Sequence, residues 1–193
     1  MNANDTLTRL KEGNKRFAVG EPSAPPVDAL LRDQLSKGQK PFACIITCSD
    51  SRVPPELIFD CTAGELFVVR VAGVIQTPEV IGSVEYAACH LKVNLVVVLA
   101  HSRCGAIHAA VSREPVPERV AAITDRLAPM VSAQQALGFE GEKLELQVSK
   151  QNTRELVDAL CRSQAIKERL ENGLQVRGAY YKLSTGQILW DFE

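Results

Sequence analysis

The sequence has no run of about 18 apolar residues, the least that a membrane-spanning helix requires. Its N-terminal segment, MNANDTLTRLKEGNKRF, has neither the apolar stretch nor the small-residue cleavage site of a signal peptide. No basic block stands out, since 22 Lys and Arg residues offset 23 Asp and Glu residues for a net charge of −1. We therefore expect a cytoplasmic protein with no membrane span and no nucleic-acid partner.

The sequence also lacks an internal repeat and a Cys-x-x-Cys pair. It has no glycine-rich phosphate loop either, so no organic cofactor is expected. Cysteine itself is not scarce. In a reducing compartment these thiols do not form a disulfide framework, and most of them should be small buried hydrophobes. The six cysteines are Cys44, Cys48, Cys61, Cys89, Cys104 and Cys161.

Three short apolar runs, FACIIT, ELFVVRVA and NLVVVLA, alternate with segments of helical spacing. Continuous apolar runs are typical of strands covered on both faces. Helical patterns follow at residues 78–92 and 105–111, and residues 144–171 indicate one or two long helices. We expect Pro129 to interrupt a further helical stretch. The pattern predicts an α/β fold, with a mostly parallel central β-sheet flanked by helices.

The ends of the chain should add to this sheet. Residues 1–37 contain two predicted helices and form an N-terminal helical arm, whereas residues 38–193 form the α/β core. The last 20 residues predict a C-terminal strand hairpin that turns at residues 184–186. The length suits a single domain over residues 1–193.

Possible metal ligands follow two of the predicted strands. Cys48 ends the first apolar run, and the third run is followed by AHSRCGA, which contains His101 and Cys104. Ligands bind at the carboxyl edge of open α/β sheets, so these three side chains should converge. Two thiolates and one imidazole suit zinc, and three protein ligands leave the fourth tetrahedral position open, as in catalytic sites.

Other readings of these residues are weaker. Cys48 and Cys104 could instead perform redox chemistry, but the sequence lacks the Cys-x-x-Cys spacing that favours it. His90 lies on a predicted helix, where a position at the boundary between core and solvent is the simpler interpretation. His108 follows Cys104 by four residues and could approach the site, although a surface role is favoured.

Asp50 and Arg52 follow Cys48 at alternate positions in CSDSR. A carboxylate next to a bound metal could ligate it or accept a proton from its water, and Arg52 could hold that carboxylate in a two-pronged hydrogen bond. An ordinary surface salt bridge is the alternative.

The two motifs CSDSR and HSRCGA resemble those of the β-class carbonic anhydrases. The likeness extends over nearly the whole chain, through the blocks LKEGNKRF, KGQKPFACIITCSDSRVPPELIFD, GELFVVRVAG, GSVEYAACHLKVNLVVVLAHSRCGA and GAYYKLSTGQ. The resemblance implies reversible hydration of CO₂ to bicarbonate and a proton, with one Zn²⁺ per chain.

The resemblance also implies residue roles. Cys48, His101 and Cys104 would ligate zinc, and Asp50 and Arg52 would form a catalytic dyad. In some relatives the counterpart of Asp50 also ligates the zinc at low pH. Gln39 would reach substrate across a subunit interface, which implies a homodimer or homotetramer with its active sites between subunits.

The sequence departs from the family pattern near the expected pocket. Val74 stands where relatives often carry a polar residue, Ala100 replaces a frequent glycine, and Cys61 replaces a frequent glutamine. These changes put rate and substrate preference in question. The remaining alternatives are hydrolysis of a related heterocumulene, carbonyl sulfide or CS₂, and a non-catalytic protein that binds zinc or bicarbonate.

A further departure concerns regulation. In relatives whose active site is closed by bicarbonate, the bicarbonate pocket usually contains an arginine and a tryptophan. The tryptophan lies three residues before the first zinc cysteine. Here Arg70 is present, but Ile45 occupies the tryptophan position, and the single tryptophan is Trp190. We therefore expect an open site at neutral pH, in which Asp50 is paired with Arg52.

Overall fold

The structure is a computed structural model that describes residues 1–192. Within these residues the strands are β1 (Ala43–Thr47), β2 (Leu66–Arg70), β3 (Leu95–His101), β4 (Gln175–Tyr181) and β5 (Ile188–Trp190). The helices are α1 (Ala3–Val19), α2 (Ala29–Leu35), α3 (Pro55–Ile58), α4 (Pro78–Cys89), α5 (Gly105–Ser112), α6 (Glu118–Ala136), α7 (Gly141–Arg162) and α8 (Gln164–Glu171). A short 3₁₀ turn spans Ala72–Val74.

The five strands form one sheet in the order β2-β1-β3-β4-β5. The first four strands are parallel, and β5 pairs with β4 in the antiparallel direction. Every residue of β1 and β3 is buried, which explains why their sequences are continuous apolar runs rather than alternating ones. The predicted α/β fold, with its parallel sheet and C-terminal hairpin, is confirmed.

Helices pack against both halves of the sheet. Helix α4 contacts β1 and β2, while α7 contacts β3 and β4. The pattern over residues 144–171 indicated one or two helices. The structure has two helices there, α7 and α8, separated at Ser163. No helix within residues 1–192 is long and apolar enough to cross a membrane.

The prediction that Pro129 interrupts a helix was wrong, because Pro129 lies inside α6. A proline in a helix interior costs about 3 kcal/mol relative to alanine. Leu127, Met130 and Val131 are buried on either side of it and anchor both halves of the helix to the core. Their burial outweighs that cost, a tertiary effect that the local pattern does not contain.

The first helix of the N-terminal arm packs on its own chain. The side-chain amide of Asn14 donates to the carbonyls of Ile58 (3.2 Å) and Gly186 (2.7 Å), and its oxygen accepts from the Ile188 backbone N–H at 3.1 Å. Gly13 permits this close approach, since a Cβ there would lie 1.9 Å from the Phe59 carbonyl oxygen. These contacts fix α1 against the β4–β5 hairpin.

Substitution of alanine at two helical glycines should therefore have opposite effects. Gly13→Ala should lower the free energy of unfolding by about 1–3 kcal/mol, because the new methyl group collides with backbone. Gly82→Ala, on an exposed part of α4 with no heavy atom within 4 Å, should raise it by about 0.5–1 kcal/mol. Denaturant unfolding at fixed protein and zinc concentrations measures both. Equal stability of the two variants would contradict this packing of α1.

Candidate metal centre and catalytic dyad

The parallel pairing of β1 with β3 brings three potential ligands together. Cys48 directly follows β1, His101 is the last residue of β3, and Cys104 caps the N-terminus of α5. Their ligand atoms all lie within 4.8 Å of one another, and all three residues are buried. The two sulfur atoms are 3.9 Å apart.

The imidazole of His101 is oriented for a metal. Its Nδ1 lies 2.9 Å from the Ser102 carbonyl oxygen, which can only accept a hydrogen bond, so Nδ1 carries the proton. Nε2 therefore has a free lone pair, and among residues 1–192 it is buried without a hydrogen-bond partner. A buried polar atom without a partner is costly, and a metal ion would provide one.

The two thiols also fit a cation between them. The hydrogen bond from Cys104 lowers the pKa of Cys48, and the backbone N–H groups of Asp50 and Gly73 face the same sulfur and act in the same direction. The Cys48 thiolate in turn raises the pKa of Cys104. A positive charge beside both sulfur atoms would favour the ionised form of both thiols. Two thiolates and an imidazole form a donor set that zinc prefers.

Asp50 and Arg52 form a two-pronged ion pair beside this cluster. The guanidinium Nε and Nη2 of Arg52 donate to Oδ1 (2.9 Å) and Oδ2 (2.7 Å), and the Arg52 backbone N–H also donates to Oδ1 at 2.9 Å. These bonds hold the pKa of the Asp50 carboxyl well below its usual range. The carboxylate is not one of the three clustered ligands.

Arg70 has a role that sequence reasoning missed. It ends β2, where it pairs in register with Thr47, the residue before Cys48. Its Nε donates to the Cys48 carbonyl at 3.0 Å, and its Nη2 donates to the Asp50 carbonyl at 2.6 Å. Arg70 therefore fixes the turn that carries Cys48 and Asp50. Its position at the end of the neighbouring parallel strand was the available signal.

Gln39 is not brought to the cluster within one chain. It is exposed in the loop between α2 and β1, where it lines a surface groove with Leu35 and Gly64. Its predicted contact with substrate requires a second copy of the chain and stays a prediction.

The two remaining histidines lie outside the cluster. His108 is exposed and its Nδ1 lies 2.8 Å from Glu145, whose hydrogen bond raises the pKa of the imidazole. His90 is exposed at the end of α4, where its ring lies 5.1 Å from that of Tyr86.

Cys44 and Cys61 have the properties of buried hydrophobes. Burial raises the pKa of each thiol to about 12, so neither is ionised near neutral pH. Cys44 lies inside β1, and Cys61 donates to the Phe59 carbonyl at 3.4 Å.

Of the three departures from the family pattern, two lie next to the cluster. Val74 and Ala100 line a small cavity together with His101 and Cys104, whereas Cys61 is not part of its lining. Val74 has a backbone φ of +53°, a left-handed conformation that is a genuine outlier for a β-branched residue. The site is therefore strained at this position.

Comparison with known proteins agrees with this geometry. The family model described as carbonic anhydrase matches residues 43–188. Carbonic anhydrase 2 of Mycobacterium tuberculosis H37Rv is 40% identical over 186 residues, which cover 93% of this chain and 88% of that protein. This chain belongs to the β-class carbonic anhydrase family. It is thus a member of an enzyme family whose general reaction is the hydration of carbon dioxide.

A second relative and a solved structure extend the comparison. The carbonic anhydrase of Mycolicibacterium smegmatis is 38% identical, over 93% of this chain and 88% of that protein. A structure described as one of two tetrameric β-carbonic anhydrases from Sordaria macrospora has a TM-score of 0.78 and is 26% identical, covering 96% of each chain. The β-carbonic anhydrase fold of this chain is therefore established.

The three clustered ligands should be necessary for zinc binding. Cys104→Ser and His101→Ala should each lose most of the bound zinc, because two of the three ligands cannot hold it as tightly. Zinc per chain, measured by mass spectrometry of the purified protein, tests this. Cys44→Ala is the matched control: this thiol is fully buried inside β1, four residues before Cys48, and its loss should cost packing energy alone, on the order of 1–3 kcal/mol. Full zinc in either ligand variant, or its loss in the control, would require a different ligand set.

Proposed function

We propose that this chain catalyses the zinc-dependent, reversible hydration of CO₂ to bicarbonate and a proton. The observation that carries the proposal is the buried Cys48–His101–Cys104 cluster, with the unpartnered Nε2 of His101, beside a carboxylate that Arg52 holds in place.

Cys48, His101 and Cys104 would hold the zinc ion. Bound there, zinc would supply a nucleophile at neutral pH, because it lowers the pKa of a coordinated water to about 7. The chain offers three ligands at this point, which is the number that leaves one tetrahedral position for solvent.

Asp50 would orient the nucleophile. Its carboxylate stays ionised, because the Arg52 hydrogen bonds lower its pKa, so it can only accept hydrogen bonds. Arg52 donates twice to Oδ1 and once to Oδ2, which keeps the carboxylate in a fixed position. The remaining lone pair on Oδ2 can accept the hydrogen of the nucleophile and direct its attacking lone pair at the carbon of CO₂.

A second copy of the chain would complete the site. Gln39 would donate a hydrogen bond from that copy to the substrate oxygen that gains negative charge. Its exposure, in a surface groove separate from the cavity that His101 and Cys104 line, supports this assignment. The tetrameric state named for the Sordaria macrospora proteins supports a homodimer or homotetramer.

The Asp50–Arg52 pair separates this proposal from one of its two alternatives, a non-catalytic protein that binds zinc or bicarbonate. A zinc ion that only stabilised the fold would not need an oriented carboxylate beside it. Hydrolysis of carbonyl sulfide or CS₂ would use the same groups. Parallel assays of CO₂ hydration by stopped flow and of sulfide release decide between these substrates: we expect CO₂ to be strongly preferred, and a preference for either sulfur compound would overturn the proposal.

Loss of the dyad should affect turnover without affecting zinc. Arg52→Ala removes both guanidinium hydrogen bonds to Asp50, and Asp50→Asn removes the anionic acceptor. Each substitution should therefore lower kcat by about 10²–10⁴-fold. Zinc content should stay near that of the wild type. Arg119→Ala, which removes an exposed arginine on α6, controls for the change in net charge. Full CO₂ hydration activity in Arg52→Ala would exclude the dyad mechanism.

Bicarbonate inhibition should be simple and hyperbolic. Ile45 is fully buried between Val68 and Val97 and offers no hydrogen-bond donor. Arg70 already donates to the carbonyls of Cys48 and Asp50. The position of Ile45 therefore lacks the tryptophan donor with which relatives closed by bicarbonate hold that anion, and part of the Arg70 guanidinium is engaged by backbone carbonyls. Initial rates of CO₂ hydration against bicarbonate concentration test this, and a sigmoidal curve would show a cooperative site that we do not expect.

A further inference from the structure

Helix α7 has three buried polar residues, and one of them differs from the others in its hydrogen bonds. The hydroxyl of Ser149 donates to the Glu145 carbonyl at 2.8 Å, and that of Thr153 donates to the Ser149 carbonyl at 2.9 Å. Both bonds remain within the helix. Asn152 instead reaches out of the helix to the 3₁₀ turn that follows β2, so its side chain connects two elements.

The contact is made with the two left-handed residues of that turn. Asn152 Nδ2 donates to the carbonyls of Gly73 (2.9 Å) and Val74 (3.2 Å). Carbonyls only accept, so the amide nitrogen must face them. Gly73 has φ +71° and Val74 has φ +53°, and the latter is strained because valine is β-branched. Such strain persists only where the surroundings enforce it, and Asn152 is 5% exposed and satisfies both carbonyls.

The conformation of these two residues affects the metal ligands directly. Gly73, Val74 and Asn152 line the same small cavity as His101 and Cys104. If the turn relaxed, Gly73 and Val74 would leave the wall of this cavity, and the two ligand side chains would lose their packing on that side.

We propose that Asn152 is a positioning residue for the metal centre: it holds Gly73 and Val74 in the left-handed conformation that keeps both residues in the cavity wall beside His101 and Cys104. Asn152 touches neither substrate nor metal. It acts through the turn, and this inference rests on the proposed function only in taking the Cys48 cluster as a zinc site.

The test compares Asn152→Leu, which keeps the size but removes the donor, with Thr153→Val, which removes a buried hydroxyl from the same helix. Transfer of zinc to a chelator should be at least about 10-fold faster in Asn152→Leu and unchanged in Thr153→Val. In cobalt-substituted protein, the thiolate-to-cobalt absorption band should shift only in Asn152→Leu. A lost packing contact alone would not move that band, so wild-type release and spectrum in Asn152→Leu would overturn the proposal.

A second substitution distinguishes backbone strain at Val74 from destabilisation of the whole fold. Val74→Gly removes the steric penalty of the left-handed conformation, so the double variant Val74→Gly/Asn152→Leu should release zinc within about threefold of the wild-type rate. If Asn152→Leu alone fails to fold, recovery of a folded, zinc-binding double variant would support the proposal. A double variant that also fails to fold would contradict it, because Asn152 would then support the fold as a whole.

One measurement needs no metal. In the metal-free protein, the Val74 amide, which donates to the Val71 carbonyl at 3.0 Å, should exchange its hydrogen at least about 10-fold faster in Asn152→Leu than in the wild type. Unchanged exchange would refute the role of Asn152. A wild-type protein that binds no zinc would instead refute the proposed function, so the two failures are distinguishable.

Discussion

The parallel pairing of β1 with β3 is the interaction on which the rest of the site depends. In this register Thr47 lies opposite Leu99, and the buried Thr47 hydroxyl donates to the Leu99 carbonyl at 2.9 Å. Cys48 and His101, which follow at the two strand ends, then meet at one edge of the sheet. Both strands are buried on both faces, so side-chain packing on the two faces, together with this hydrogen bond, fixes the register and thereby the distance between the two strand ends.

Positive charge and N–H groups surround this edge. Arg52 and Arg70 hold the turn after β1 from two sides, and the backbone N–H groups of the α5 N-terminus face Cys104. This arrangement offsets the repulsion between two thiolates and a nearby carboxylate. Both oxygens of Asp50 accept hydrogen bonds from Arg52, which hold the carboxylate in place.

The sequence was sufficient for the elements whose signals are local. The continuous apolar runs of β1 and β3 and the side chains at their ends led directly to the α/β sheet and to the Cys48–His101–Cys104 cluster. What it could not show depends on distant packing. The buried residues on either side of Pro129 keep α6 continuous. Asn152 contacts Val74, which lies 78 positions earlier in the chain. The contact that Gln39 would make lies in another chain, so neither the local pattern nor one subunit contains it.

A crystal structure of the zinc-loaded protein near pH 7.5, with anomalous data at the zinc edge, tests the central claim most directly. The account predicts one zinc peak bounded by Cys48, His101 and Cys104, with Asp50 still in its two-pronged contact with Arg52. A peak at any other set of side chains, or Asp50 turned away from Arg52 to become the fourth zinc ligand, would contradict it.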